Sequence, residues 1–292
     1  MKLMTAFFTR SEYGPLQPFL DIAKSMGVDA KVLDFCAAYQ SSLFSYNFIN
    51  TVLGAEIEEF KPDVVLAPFD RPEMVPLAYT AYHMSVPVAQ LFAGDVAGGA
   101  YDDADRFVIS NYATYLFCAD YNQFVRTTDS QKWAQRIGWR KRIELVGATH
   151  FDDMEYVENG VKDYTLVLYN PPSLLSRKEV EKEVVSLCQS IASDDVVYWV
   201  APNGDVNSDL VEEYAKDVNY LKGMPRKEFL GWLKNAKRIV GNSSCMFYEA
   251  AYFNMPYHQV GVRNKHREPI ADFMCKPGAS KRVIEILKEE LD

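Results

Sequence analysis

The chain has 292 residues, with 31 Lys and Arg against 40 Asp and Glu, a formal net charge of −9 and 48% apolar residues. At roughly 100–200 residues per domain this predicts two domains, each with its own core, and excludes disorder, collagen and coiled coil. No run of about 18 apolar residues is present to cross a membrane.

The opening stretch Met1–Phe8 is too short for a signal-peptide core and lacks a small-residue cleavage site, so it reads as a first strand of a cytoplasmic protein. Further strands are expected at Ala30–Leu33, Val64–Leu66, Val86–Phe92, Tyr115–Cys118 and Ile143–Val146. Helices are expected between them at Leu16–Met26, Met74–Met84, Ala104–Asn111 and Tyr121–Gln135, while 35–53 is a Tyr/Ser/Phe-rich loop. A second series of strands follows at Tyr164–Tyr169, Val196–Ala201, Val218–Leu221, Arg238–Val240 and Tyr257–Val260. Its helices are Lys178–Ile191, Leu210–Ala215, Arg226–Asn235, Ser244–Phe253 and Ala279–Leu291. Short apolar strands alternating with amphipathic helices predict two parallel-sheet α/β units. The polar, Gly-containing stretch Glu158–Asp163 separates them, giving domains 1–160 and 161–292. Such units are expected to face each other across a cleft at the carboxyl ends of their strands, where open sheets bind ligands.

The five cysteines (36, 118, 188, 245 and 275) are widely spaced and form no CxxC, and the four histidines lack metal-ligand spacing. No metal, disulfide framework or cofactor is expected. The first βα loop has no GxGxxG and no strand leads into a Walker sequence, which removes the dinucleotide and P-loop readings. The acidic balance opposes nonspecific nucleic-acid binding. A local basic stretch, Lys132–Arg142 with Trp133 and Trp139, reads as an exposed helix end with its Trp residues packed inward.

The chemistry-bearing residues follow strands. Thr9-Arg10-Ser11 offers a guanidinium for a phosphate. Pro68-Phe69-Asp70-Arg71 places Asp70 at a strand end, as an acid–base group or as the cap of the next helix. Asp95, Asp102, Asp103 and Asp105 fall within eleven residues of a Gly-rich loop that enters a helix. Acids converging there would repel one another and leave a proton for acid–base work, or complement the helix dipole. In the second half, Gly241-Asn242-Ser243-Ser244 opens a helix that carries Glu249, a pattern suited to a diphosphate and a ribose. Gly261–Arg267 adds Arg263, Lys265, His266 and Arg267. Together these make nucleotide-sugar binding the sharpest reading of the residues.

In this order the motifs resemble the UDP-N-acetylglucosamine 2-epimerase family, specifically its hydrolysing branch from sialic and legionaminic acid synthesis. They are Thr9–Gly14, Asp70–Met74, Ala93–Asp95 with Gly99–Arg106, Pro202–Asp205, Gly241–Ser244 with Glu249-Ala250, and Gly261–Arg267. The resemblance implies the GT-B fold and a nucleotide-sugar substrate such as UDP-GlcNAc. It also implies loss of UDP from C1 with removal of the C2 proton, followed by hydration with inversion at C2. By motif position Asp70, Asp95, Asp102 and Asp103 would be the acid–base set. Arg10, Arg71, Asn170, Asn203, Asn242, Ser243, Ser244, Glu249, Arg263 and Arg267 would hold the substrate. A homodimer is implied as well.

The chain departs from the family pattern with Phe69 for Gly, Asp95 for Glu, Asn170 for His and a remodelled 35–53 segment. These departures keep two alternatives open. One is a GT-B glycosyltransferase whose acceptor, even DNA, would meet the 132–142 stretch; the other is a nonenzymatic nucleotide-sugar sensor.

Overall fold

A computed structural model describes residues 1–39, 46–100 and 102–291, apart from the side chains of residues 10, 38 and 39. The chain forms two compact units: Met1–Asp95, Asp102–Asp153 and Lys276–Asp292 make the first, and Val96–Tyr101 with Met154–Cys275 the second. The chain therefore passes into unit 2 at Val96–Tyr101 and again at Met154–Cys275, whereas the sequence reading expects a single boundary at 160/161.

Unit 1 runs β1 (Lys2–Phe7), α1 (Arg10–Ser25), β2 (Asp29–Asp34), α2 (Cys36–Tyr39), α3 (Tyr46–Phe60), β3 (Val64–Ala67), α4 (Met74–His83) and β4 (Val88–Leu91). It continues with α5 (Asp102–Tyr112), β5 (Tyr115–Cys118), α6 (Tyr121–Arg136) and β6 (Arg142–Leu145). The six strands are parallel in the order β2-β1-β3-β4-β5-β6, so the winding reverses between β1 and β3. Strand residues alternate between two cores, as a pleated sheet covered on both faces requires. Met4, Ala6, Val65, Ala67, Leu116 and Cys118 pack with Ile49, Leu53, Leu77 and Ile109 of α3, α4 and α5. Leu3, Val64, Leu66, Ala89 and Tyr115 pack on the other face with Leu16 and Phe19 of α1. That face also receives Val283, Ile284, Ile286 and Leu287 from the helix Ala279–Leu291.

Unit 2 carries β7 (Thr165–Leu168), α7 (Arg177–Ile191), β8 (Val197–Val200), α8 (Ser208–Tyr214), β9 (Asn219–Leu221), α9 (Arg226–Asn235), β10 (Arg238–Gly241), α10 (Glu249–Tyr252) and β11 (Tyr257–Gln259). Its parallel order, β11-β10-β7-β8-β9, reverses between β7 and β10. Val180, Val184 and Leu187 of α7 and Leu210 and Val211 of α8 cover one face around buried Trp199. The helix Ala279–Leu291 that packs on unit 1 is α11.

All eleven expected strands are present within a residue or two of their predicted ends. Three expectations change. The 35–53 stretch, expected as a loop, carries α2 and the start of α3, while residues 40–45 lie outside the described ones. Ile49, Leu53 and Ile57, four residues apart, face the core at helical spacing, a signal masked by the polar Asn and Thr between them. Trp133 and Trp139 do not pack inward: they are 63% and 43% exposed and meet edge to face at 5.7 Å. Two of the cations that follow them are anchored instead. Lys141 donates to the carbonyls of Ser110, Asn111 and Ala113 at the end of α5, and Arg142 reaches Glu290 at 3.0 Å. Burial there pushes the Lys141 ammonium down to about 8. The third change, a broken helix after β10, bears on the site.

Among the described residues no helix is long and apolar enough to cross a membrane.

Candidate functional site

In open α/β sheets ligands gather beyond the carboxyl ends of the strands, where the winding reverses. In unit 1 that place lies beyond β1, β3 and the adjoining β4, which lead into Thr9–Glu12, Pro68–Glu73 and Phe92–Asp95.

A buried guanidinium organises these loops. Arg106, on α5 and only 3% exposed, forms an ion pair with Asp70. Its Nη1 donates to Asp103 Oδ1 at 2.7 Å and to the Asp95 carbonyl at 2.6 Å, and Nη2 lies 4.0 Å from the Asp95 carboxylate. The helix that carries Arg106 is itself fixed from the sheet. Gln90 Nε2 donates to the Arg106 carbonyl at 3.2 Å, and Ser110 Oγ donates to Gln90 Oε1 at 2.7 Å. Phe92 takes up a positive φ of 53° at the end of β4, a strained conformation for a bulky residue. It turns the chain so that the Asp95 amide donates to the Phe92 carbonyl at 3.1 Å and the Asp95 side chain lies buried.

Asp70, Asp95 and Asp103 converge on a cation, Arg106. The positive charge of Arg106 offsets the mutual repulsion that the carboxylate spacing suggested. Asp70 is not a helix cap either: α4 starts at Met74, with Glu73 in the capping position. Asp102, Asp103 and Asp105 do occupy the first turn of α5, where they complement its dipole. Burial, reinforced by Glu73, raises the Asp105 carboxyl above its ordinary value.

Arg71 points to a second acidic pair, with Nε 3.3 Å from Glu73 and 3.8 Å from Glu12. Glu12 accepts from the amides of Phe8 and Thr9 at 2.8 and 2.9 Å and closes the capping box of α1. Burial raises its carboxyl although Arg71 draws it down. The side chain of Arg10 lies outside the described residues.

In unit 2 the winding reverses between β7 and β10, and there three asparagines clasp one another. Asn242, fully buried, accepts from the Asn170 amide and donates to the Asn170 carbonyl, both at 2.8 Å. The Asn203 amide donates to Asn170 Oδ1 at 2.8 Å, which brings in the loop after β8. Gly241 makes this approach possible. Its φ of +147° is disfavoured for other residues, and a Cβ there would come within 2.5 Å of the Leu168 carbonyl carbon. The clasp extends to the loop after β11, where Asn264 donates to the Asn242 carbonyl at 2.6 Å and accepts from Arg267 at 2.7 Å. Arg263 Nη1 donates to the Pro171 carbonyl at 3.0 Å and lies 3.3 Å from Asp205. The Asn170 amide and carboxamide thus bridge loops that the neutral side chain can hold without supplying positive charge.

The helix expected over Ser244–Phe253 is broken. Ser244–Met246 is a single 3-10 turn and α10 begins only at Glu249, after Tyr248 takes ψ −78°. No continuous helix dipole therefore opens at Ser243 and Ser244, and these two contribute hydroxyls and amides alone. Glu249 is 6% exposed and paired at 3.0 Å with Arg226 of α9. Cys245 beside it has its thiol pushed up by burial, which makes it a poor nucleophile. Substituting Arg226→Met removes the cation from a buried pair and is expected to destabilise unit 2 by about 3 kcal/mol. Arg226→Met with Glu249→Leu should recover most of that loss in denaturant titrations.

The sequence reading missed Arg106 and Asn264, both buried, and half-buried Arg226, each holding a predicted site residue. For Arg106 a signal existed. Four acids in eleven residues leading into a helix need a nearby cation, and Arg106 is the one basic residue in that helix. Among the described residues no three His, Cys, Asp or Glu side chains gather as a metal ion would need.

Two doubly wound parallel-sheet units make this a protein of the GT-B fold class. A solved UDP-GlcNAc 2-epimerase from Neisseria meningitidis, bound to UDP-GlcNAc, superposes with a TM-score of 0.74 at 15% identity, over 99% of this chain and 100% of that one. A family model described as UDP-N-acetylglucosamine 2-epimerase matches residues 41–292, and the chain belongs to that family. A Legionella pneumophila relative, the hydrolysing UDP-N,N'-diacetylbacillosamine 2-epimerase, is 29% identical over 232 residues, 72% of this chain and 59% of its own length. A Campylobacter jejuni GDP/UDP-N,N'-diacetylbacillosamine 2-epimerase of the same hydrolysing type is 25% identical over 228 residues, again 72% and 59%. The chain thus spans about three fifths of the length of these curated relatives.

Proposed function

We propose that this chain is a hydrolysing 2-epimerase of UDP-GlcNAc or a closely related 2-acetamido nucleotide sugar. The observation that carries the reading is the Arg106-centred set of Asp70, Asp95 and Asp103 beyond the ends of β3 and β4. Family membership and the two hydrolysing relatives support it over sugar transfer.

In this reading unit 1 supplies acid–base groups. One carboxylate takes the C2 proton as the C1–O bond breaks, the electron pair leaving with UDP and a C1=C2 double bond forming. Water then adds at C1 while a second carboxyl delivers a proton to the opposite face of C2. The products are UDP and the free 2-epimeric sugar. Positioned carboxylates are suited to both proton transfers, and cations are suited to the charge that leaves on the diphosphate. Unit 2 would hold the nucleotide through the Asn170–Asn203–Asn242 clasp, Ser243, Ser244, Arg263 and Arg267. Glu249, fixed by Arg226, would take the ribose hydroxyls.

The test is turnover in D2O with UDP-GlcNAc and UDP-N,N'-diacetylbacillosamine. Expected are stoichiometric UDP release and one deuterium at C2 of a product inverted at that carbon. Absence of both with every 2-acetamido nucleotide sugar would overturn the reading. UDP release that requires an added acceptor would replace it with sugar transfer.

A further inference from the structure

The turn that carries Asp95 is held in a conformation that its residues do not favour. Phe92 takes φ +53°, where a bulky side chain crowds its own backbone and a glycine would sit freely. A residue strained in this way persists only where its surroundings fix it. What fixes Phe92 therefore decides where Asp95 points.

The turn is gripped from two sides, and every group involved belongs to unit 1. On one side, Arg126 of α6 donates from Nε to the Gly94 carbonyl at 2.7 Å. Gly94 has φ +80°, and a Cβ there would come within 3.1 Å of the Gln123 carbonyl carbon of the same helix. The Ala93 amide donates to the Phe117 carbonyl of β5 at 3.1 Å. On the other side, the His150 ring stacks on Phe92, with centroids 5.4 Å apart and planes inclined by 23°. The Phe92 ring also packs on the core that contains Leu16 and Phe19.

His150 is itself firmly seated. It is 6% exposed, and the Phe151 ring meets it edge-on at 4.8 Å. Its backbone lies in the 3-10 turn Thr149–Asp152, where Asp152 accepts from the Ser280 amide at 2.7 Å, at the start of α11.

We propose that His150 is a positioning residue whose ring braces Phe92 in its left-handed conformation and so turns the Asp95 carboxylate toward Arg106. The inference rests on the proposed epimerase reading for the role of Asp95; the brace itself does not. His150 acts as a flat surface stacked on a ring and moves no proton. Without it Phe92 is released toward an extended conformation, and the Asp95 amide loses the Phe92 carbonyl as its acceptor.

The experiment compares wild type, His150→Ala, His150→Phe, Phe92→Gly and the double variant Phe92→Gly with His150→Ala. His150→Ala is expected to lower kcat by about 100-fold, the scale of a 1 Å misplacement, with the UDP dissociation constant changed less than about threefold. His150→Phe keeps a flat ring without a titrating group, and should return kcat to within about fivefold of wild type with an unchanged pH profile. Phe92→Gly has no ring to brace, so adding His150→Ala to it should change kcat by less than about twofold. Exchange of the Asp95 amide should be about tenfold faster in His150→Ala and restored in His150→Phe. If His150→Ala does not fold, His150→Leu, which fills the space without a flat face, carries the same expectations. A lower Tm with unchanged kcat, equal losses in His150→Phe and His150→Ala, or a further large loss in the double variant would each overturn the proposal. If wild type itself shows no turnover, the epimerase reading fails while the Asp95 exchange rates still decide this one.

Discussion

Asp95→Asn is expected to lower kcat by about 1,000-fold, within the range a general acid or base supplies, while UDP affinity changes less than about threefold. Asn keeps the size of the side chain and leaves the Asp95 carbonyl to accept from Arg106 at 2.6 Å, so α5 keeps its anchor. What is lost is the carboxylate itself, buried and turned inward by the strained Phe92 conformation. Single-turnover deuterium incorporation at C2 separates this outcome from slow product release. A kcat within tenfold of wild type would move the proton transfer to Asp70 or Asp103.

Arg106→Leu is expected to harm both folding and activity. The substitution leaves Asp70, Asp95 and Asp103 converging without the guanidinium that pairs with them. Removing one partner from a buried charge set typically costs about 3–5 kcal/mol. Asp70 and Asp103 retain solvent, with side chains 32% and 25% exposed, so the lower end applies. For a unit of this size about 3 kcal/mol corresponds to a drop of about 10 °C in Tm. Turnover should fall by at least about 1,000-fold at temperatures where the variant is folded. Arg106→Lys checks the geometry: an ammonium keeps the charge but lacks the planar fork that serves Asp103 and the Asp95 carbonyl together. It should recover most of the Tm and little of the turnover. Full activity in Arg106→Lys would show that charge alone suffices.

Strand positions were legible because the pattern that makes a strand is short-range. Val64–Ala67 and Tyr115–Cys118 are buried at every residue, and an unbroken apolar run between helices reads as a central parallel strand. The carboxylates and cations of the two clusters were legible for a related reason, since each follows a strand. Helix α3 was not, because its core face is only Ile49, Leu53 and Ile57, set among Asn and Thr. The break between Ser244 and Glu249 was hidden because nothing at Phe247 or Tyr248 forbids a helix; only packing decides it. Arg106 and Arg226 were hidden for a deeper reason. An arginine in an amphipathic helix reads as solvent-facing, and its burial depends on acids brought in from strands and helices elsewhere in the chain.

Helix α11 has a consequence for how the protein is made. Its residues Val283, Ile284, Ile286 and Leu287 fill the sheet face lined by Leu16 and Phe19, and Asp152 accepts from the Ser280 amide at 2.7 Å across 128 residues of chain. Everything between them is unit 2. A ribosome therefore releases the whole first sheet long before the helix that covers it. Until α11 emerges, that face of the sheet is covered by α1 without α11, which leaves a sticky surface in a crowded cell. The second unit, whose residues 154–275 are contiguous, can finish folding in that interval, so the later-translated unit is the first to be complete.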